Sequence, residues 1–193
     1  MAGWGSVLER FPDLLKEKEV IKISYSTEKE DLERLAHLAT DKCVAILIHG
    51  DPSVSDWQFM EKLRTLCRSR SIRCEVIPGV SSLNVALLKE RLDMVETIFI
   101  TLHTEGAEKY YEEILRMVST RRKIVLFPEP YRDGPQRVAR YLIDKGFKGI
   151  ARIYESLTYQ NERFYEYKLE DLAKEKRAFT DLCIMILEIR YDP

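Results

Sequence analysis

Between residues 20 and 102 short apolar runs alternate with stretches of helical period, and that alternation restricts the fold more than any other feature of the chain. The run 43–49 (CVAILIH) is continuously apolar, the pattern of a strand covered on both faces, as in a parallel sheet. A shorter run lies at 20–24. Between the two, Thr27 with Glu30 three residues on gives a capping-box pattern that opens a helix through Leu32, Leu35, Ala36 and Leu38. A second such pattern, Ser55 with Gln58, opens a helix whose Trp57, Met60, Leu63 and Cys67 share one face. A strand at 73–77, a turn at Pro78-Gly79, a helix over 82–92 and a strand at 97–102 come next. Strand and helix in turn predict a parallel sheet with helices on both faces.

Past His103 the alternation loosens. A helix over 107–119, a strand at 123–127, a Pro-rich loop and a helix opened by Pro135 and ended near Gly146 are succeeded by strand patterns at 150–155, 163–169 and 182–190. Only a short helix separates these last strands, so the second sheet is expected to be mixed, with antiparallel pairs. The expected fold is α/β in two domains, residues 1–104 with a mostly parallel sheet and residues 105–193 with a mixed one.

Composition excludes several classes of function. With 31 Lys and Arg against 32 Asp and Glu, a formal net charge of −1, the 193-residue chain has no global field to recruit nucleic acid or an anionic membrane. Its basic clusters, Arg64, Arg68, Arg70 and Arg73, and Arg121-Arg122-Lys123, read as solvated helix ends. No stretch approaches the roughly 20 apolar residues that cross a bilayer, and no signal-peptide core is present. Cys43, Cys67, Cys74 and Cys183 are scattered without a C-x-x-C pair or a histidine at ligand spacing, so they read as free, buried thiols in a reducing cytoplasm.

Function therefore sits in a local site, and in open α/β sheets that site lies on the loops after the strands. Three such loops stand out. After the most apolar run comes His49-Gly50-Asp51-Pro52-Ser53-Val54, where Gly50 permits close backbone approach and Asp51 can accept hydrogen bonds from ribose or ammonium donors. The same residues also make an ordinary Gly-Asp-Pro turn. Pro78-Gly79-Val80-Ser81-Ser82 runs into a helix, offering hydroxyls and backbone amides to a polar ligand or an N-cap to the helix. Leu102-His103-Thr104 ends the next strand, with His103 as a ligand contact or a turn residue. His49 is a candidate proton acceptor or a packed, hydrogen-bonded histidine.

In that order and spacing, Gly50-Asp51-Pro52, Pro78-Gly79-Val80-Ser81-Ser82 and the strand ending in Leu102-His103 resemble the tetrapyrrole methylases, the S-adenosylmethionine-dependent enzymes of corrinoid and sirohaem synthesis. Glu155-Ser156-Leu157-Thr158-Tyr159 with Glu162-Arg163 is similar to the E-N-L-T-Y-x-x-E-R segment of the family's C(5)-methylating branch, and Phe179-Thr180-Asp181-Leu182 to its F-S-D-L. Val7-Leu8-Glu9-Arg10-Phe11-Pro12 is similar to a stretch that the family carries after its first helix. The chain departs from the pattern in three places: the loop after Pro52 lacks glycines, Ser156 replaces Asn, and 127–131 reads Phe-Pro-Glu-Pro-Tyr.

The resemblance implies a two-domain α/β homodimer that methylates a cobalt-precorrin with S-adenosylmethionine in cobalamin synthesis, with a decarboxylating methylase subunit as a possible partner. It assigns Gly50, Asp51, Pro52, Val54, Pro78, Gly79, Ser81 and Ser82 to the donor site, with Phe127 and Thr180 beside them and His103 toward the substrate. It assigns no general base and no metal. Family members begin with a strand and a G-x-G-P-G loop, and Met1-Ala2-Gly3-Trp4-Gly5 matches the segment that family members carry after that unit. This motivates a second expectation, a catalytically impaired homologue that serves as a binding or partner subunit.

Overall fold

The computed structural model describes residues 1–104 and 106–191. It divides into two compact units, Met1–Ser81 and Ser82–Pro193.

In the first unit β1 (Ala2–Trp4) is followed by two single-turn helices, α1 (Gly5–Leu8) and α2 (Pro12–Leu15), then β2 (Ile21–Ile23), α3 (Glu28–Leu38), β3 (Ile46–Leu47) and α4 (Trp57–Ser69). The three strands form a parallel sheet in the order β2-β1-β3, with Ala2 opposite both Ile21 and Ile46. Leu32, Leu35 and Ala36 of α3, spaced to lie on one face, are buried, and Leu32 and Leu35 join Ala2, Ile21, Ile23, Phe59 and Met60 in one core.

Local details depart from expectation in ways that pairing and packing explain. Only Ile46 and Leu47 of the run 43–49 join the ladder, because β1 offers them just Ala2 and Gly3. Both are half-buried rather than covered on both faces, and Cys43 is exposed. The strand expected at 73–77 does not form. No strand among the described residues pairs with it, so its backbone has no ladder to join, and Ile77 is 80% exposed. Trp57 leaves the buried face of α4, with 54% exposure, and Phe59 takes its place against the Trp4 ring at 5.7 Å. Thr27 makes no cap and instead shares a hydroxyl–hydroxyl bond of 2.7 Å with Ser24, and Asp56 rather than Ser55 directly precedes α4.

The second unit runs α5 (Ser82–Lys89), a 3₁₀ turn at Met94–Glu96, β4 (Thr97–Thr101), α6 (Glu108–Val118), β5 (Lys123–Phe127), α7 (Gly134–Asp144), β6 (Phe147–Glu155), β7 (Arg163–Lys168), α8 (Leu169–Leu172) and β8 (Cys183–Tyr191). Its sheet has the order β4-β5-β8-β6-β7. The β4–β5 pair is parallel and the others antiparallel, which is the expected mixed sheet. One face buries Ile124, Leu126, Ile153, Met185 and Leu187 against Ile114, Val138, Leu142, Leu169 and Leu172. The division between the units falls at 81/82 rather than at 104/105, since β4 pairs with β5 and so belongs to the second sheet.

Candidate functional site

Where β3 ends, the chain turns sharply at Gly50, whose φ of +56° lies in the left-handed region that glycine enters without penalty. The turn closes through the Val54 amide, which donates to the Asp51 carbonyl at 3.0 Å. Asp51 Oδ1 accepts from the Ser53 amide at 2.8 Å and from the Ser53 hydroxyl. Its other oxygen, Oδ2, accepts from the Gly79 amide at 3.0 Å, a partner 28 residues away. The two strand-end loops singled out in the sequence are thus joined by one carboxylate. The Ser53 hydroxyl first, then the Ser53 and Gly79 amides, hold that carboxyl below its ordinary value of 3.8, so it is ionised at neutral pH.

Gly79 is fixed by contact as well. A β-carbon there would stand 2.2 Å from the Gly50 carbonyl oxygen, so only glycine lets the two backbones approach so closely. Beside this junction lies a hollow of about 180 Å³ lined by Asp51, Pro52, Ser53, Arg64, Val76 and Pro78. Neither Arg64 nor Ser53 carries a signal in the sequence that marks it as a site residue. Pro52 is buried and Val54 half-buried in the same loop, and Ser81 is buried at the end of this unit. His49 Nε2 and the Ser6 hydroxyl are 2.9 Å apart, which makes it a hydrogen-bonded histidine rather than a free proton acceptor.

The remaining candidates lie in the second unit. Ser82 opens α5 and is half-buried. Phe127 ends β5, its carbonyl accepting from the Leu102 amide at 2.8 Å and its ring meeting Phe99 edge-on at 5.2 Å. That bond sets His103, the next residue after Leu102, beside the end of β5. Burial pushes the half-buried His103 imidazole below its ordinary 6.5, with the Asp181 carboxylate opposing the shift. Thr180, next to Asp181, is exposed, and its amide donates to Glu155 Oε1 at 2.6 Å. Glu155, only 4% exposed at the end of β6, is an organising acid; the sequence places it in a family-like segment but gives it no role. In the loop after β5, buried Glu129 accepts from the Tyr111 hydroxyl at 2.7 Å and lies 3.7 Å from the Arg137 guanidinium.

No group of three or more metal-ligating side chains occurs among the described residues, and none of their helices is long and apolar enough to cross a membrane. Acceptor capacity gives one measure of whether a donor molecule fits Asp51. Ser53 and Gly79 take up three of the roughly four lone-pair positions of a carboxylate, leaving one on Oδ2 for a ligand hydroxyl or ammonium.

Residues 3–173 match the family described as Tetrapyrrole (Corrin/Porphyrin) Methylases. Over 148 residues the chain is 28% identical to the probable cobalt-precorrin-7 C(5)-methyltransferase of Methanocaldococcus jannaschii, a match covering 75% of this chain and 65% of that protein. It therefore spans less than two thirds of that relative's length. The precorrin-6Y methylase of cobalamin biosynthesis from Archaeoglobus fulgidus has a similar fold, with a TM-score of 0.63, 20% identity and coverage of 98% of this chain and 84% of that one. A diphthine synthase aligns with a TM-score of 0.70 at 19% identity, covering 97% of this chain and 77% of that one.

Proposed function

Because the chain belongs to the tetrapyrrole (corrin/porphyrin) methylase family, we propose that it binds S-adenosylmethionine and transfers its methyl group to C-5 of a cobalt-precorrin in cobalamin synthesis. The observation that carries this reading is the Asp51–Gly79 bond, which joins the two loops that the family resemblance assigns to the donor. The bound donor supplies an electrophilic methyl group on a sulfonium. Asp51 stays ionised at neutral pH and has one acceptor position left for a ribose hydroxyl or the ammonium group. Gly50 and Gly79 keep the adjoining backbone free of side chains, and the family resemblance adds Pro52, Val54, Pro78, Ser81 and Ser82 to the donor contacts.

Transfer of a methyl group to a nucleophilic carbon demands alignment more than acid or base chemistry, so the chain's contribution is proximity and orientation. His49, bonded to Ser6, serves the fold of the strand-end loop rather than proton transfer. His103, which burial holds below its ordinary 6.5, is neutral at pH 7 and is the residue that the family resemblance sets toward the substrate. The family resemblance adds Phe127 and Thr180 of the second unit to the donor contacts. The reading carries with it a homodimer, a cytoplasmic location and a decarboxylating methylase as partner.

Calorimetric titration with S-adenosylmethionine and its demethylated product tests the proposal. Binding near micromolar strength, about −8 kcal/mol, is expected for both, followed by transfer of labelled methyl to a cobalt-precorrin and not to porphyrins lacking its reduced carbons. Absence of binding by either molecule overturns the donor site and favours a non-catalytic partner subunit.

A further inference from the structure

The four arginines clustered on α4 and just after it differ in what they face. Arg68 pairs with Glu61 at 2.9 Å, Arg70 with Glu33 at 2.5 Å, and Arg73 comes within 4.0 Å of Glu75. Arg64 has no acidic partner among the described residues, and Glu61, one turn earlier on the same helix, is taken by Arg68. Arg64 instead lines the hollow of about 180 Å³ beside the Asp51 turn. The hollow thus holds an unpaired guanidinium and a carboxylate that is ionised at neutral pH, with Pro52, Val76 and Pro78 as its apolar walls. Clefts that enclose a whole drug-sized ligand measure roughly 300–1,000 Å³, so this one takes one end of such a molecule.

We propose that this hollow receives the α-amino-acid end of the methyl donor, with Arg64 binding its carboxylate and Asp51 its ammonium group. The inference rests on the donor reading above and adds Arg64 to it as a specificity-determining residue. Two opposite charges on one small hollow select a ligand end that carries both. A lone anion would meet the Asp51 carboxylate and a lone cation the Arg64 guanidinium, whereas a dipolar group satisfies the two together. The adenine and ribose end of the donor is uncharged and would leave Arg64 unpaired. A guanidinium suits the carboxylate because its fork can donate two parallel N–H bonds to the two oxygens. The ammonium group takes the one acceptor position that Ser53 and Gly79 leave on Asp51 Oδ2. The donor's methylene chain then lies against the apolar walls, of which Val76 is 41% exposed.

Calorimetry of the full chain with S-adenosylmethionine, with its decarboxylated form and with the analogue lacking only the α-amino group tests the proposal. The parent is expected to bind each analogue more weakly than the intact donor, on the order of 10-fold, the loss of one charge-assisted contact. Arg64→Gln is expected to bind the intact donor only as tightly as the parent binds the decarboxylated form, with its affinity for the decarboxylated form unchanged. Arg68→Gln, which removes a guanidinium already paired with Glu61, is expected to bind all three as the parent does. A parent that binds the intact and decarboxylated donors equally well overturns the proposal and leaves the donor reading standing. So does an Arg64→Gln chain that loses the same factor for both. A parent that binds none of the three molecules overturns the donor reading, and the proposal falls with it. The parent's own ranking of the three molecules decides the matter even where a variant folds poorly.

Discussion

Replacing Gly79 with Ala separates the architecture of the site from its chemistry, because it leaves every side chain around Asp51 intact. The added β-carbon would lie 2.2 Å from the Gly50 carbonyl oxygen, against an ordinary contact beginning at 3.4 Å, so one loop must retreat by about 1.2 Å. The Gly79 amide now sits 3.0 Å from Asp51 Oδ2, and a retreat of that size carries it to about 4.2 Å, beyond any hydrogen bond. Misplacement on this scale costs ligands on the order of 10- to 100-fold when they depend on both loops. The clash is between two backbones and cannot be relieved by a rotamer, so global stability should fall by about 1–3 kcal/mol, short of unfolding the unit. The assay is donor affinity by calorimetry, with amide exchange at Ser53 and Gly79 as a readout that needs no ligand. Parent-like affinity together with parent-like protection at Gly79 would refute the close approach of the two backbones.

Two further outcomes stem from burial. Asp56, immediately before α4, is pushed up to about 6 by desolvation from an ordinary 3.8. The folded state thus holds its proton more tightly than the unfolded state, and stability falls as pH rises from about 4 to about 6; Asp56→Asn should be more stable by at most about 3 kcal/mol above that window and no more stable below it. Equal denaturant midpoints for parent and variant at pH 8 would contradict the burial of that carboxylate. Leu142 of α7 is fully buried in the core of the second unit, and Leu142→Ala should cost about 2–5 kcal/mol in denaturant unfolding; a loss under about 1 kcal/mol would mean that the α7 face is not packed on the sheet.

The sequence locates elements well where local pattern and tertiary pairing agree. The antiparallel β6, β7 and β8 fall on the segments whose patterns predict them, because each has a long partner: β6 pairs along its whole length with β8. Residues 73–77 carry as good a strand pattern, yet a strand requires a neighbour and the pattern does not encode one. Capping shows the same limit. Thr27 has the right residue three positions ahead but bonds to Ser24, while Asp93 and Glu96 close a box at the turn into β4. Gly50 and Asp51 are legible as the loop after a strand, whereas Pro78 and Gly79 carry the same local signal although no strand precedes them. The bond between the two loops is not legible, since nothing local marks an acid whose partner is an amide 28 residues further on.

That bond changes how Asp51 is to be understood. An acid on a strand-end loop invites a reading as a ligand contact alone, and loss of binding on its removal would be taken as loss of that contact. Here three hydrogen bonds from the protein engage the carboxylate, two of them within its own turn and one to Gly79, so its first effect is to fix the distance between the loops. Asp51→Ala therefore removes contact and brace together, whereas Gly79→Ala removes the brace and keeps the charge. If the two variants lose donor affinity to the same extent, and the double variant loses no more than either, loop spacing is what the site requires of Asp51. A further loss in the double variant would measure the contact made through the one acceptor position left on Oδ2.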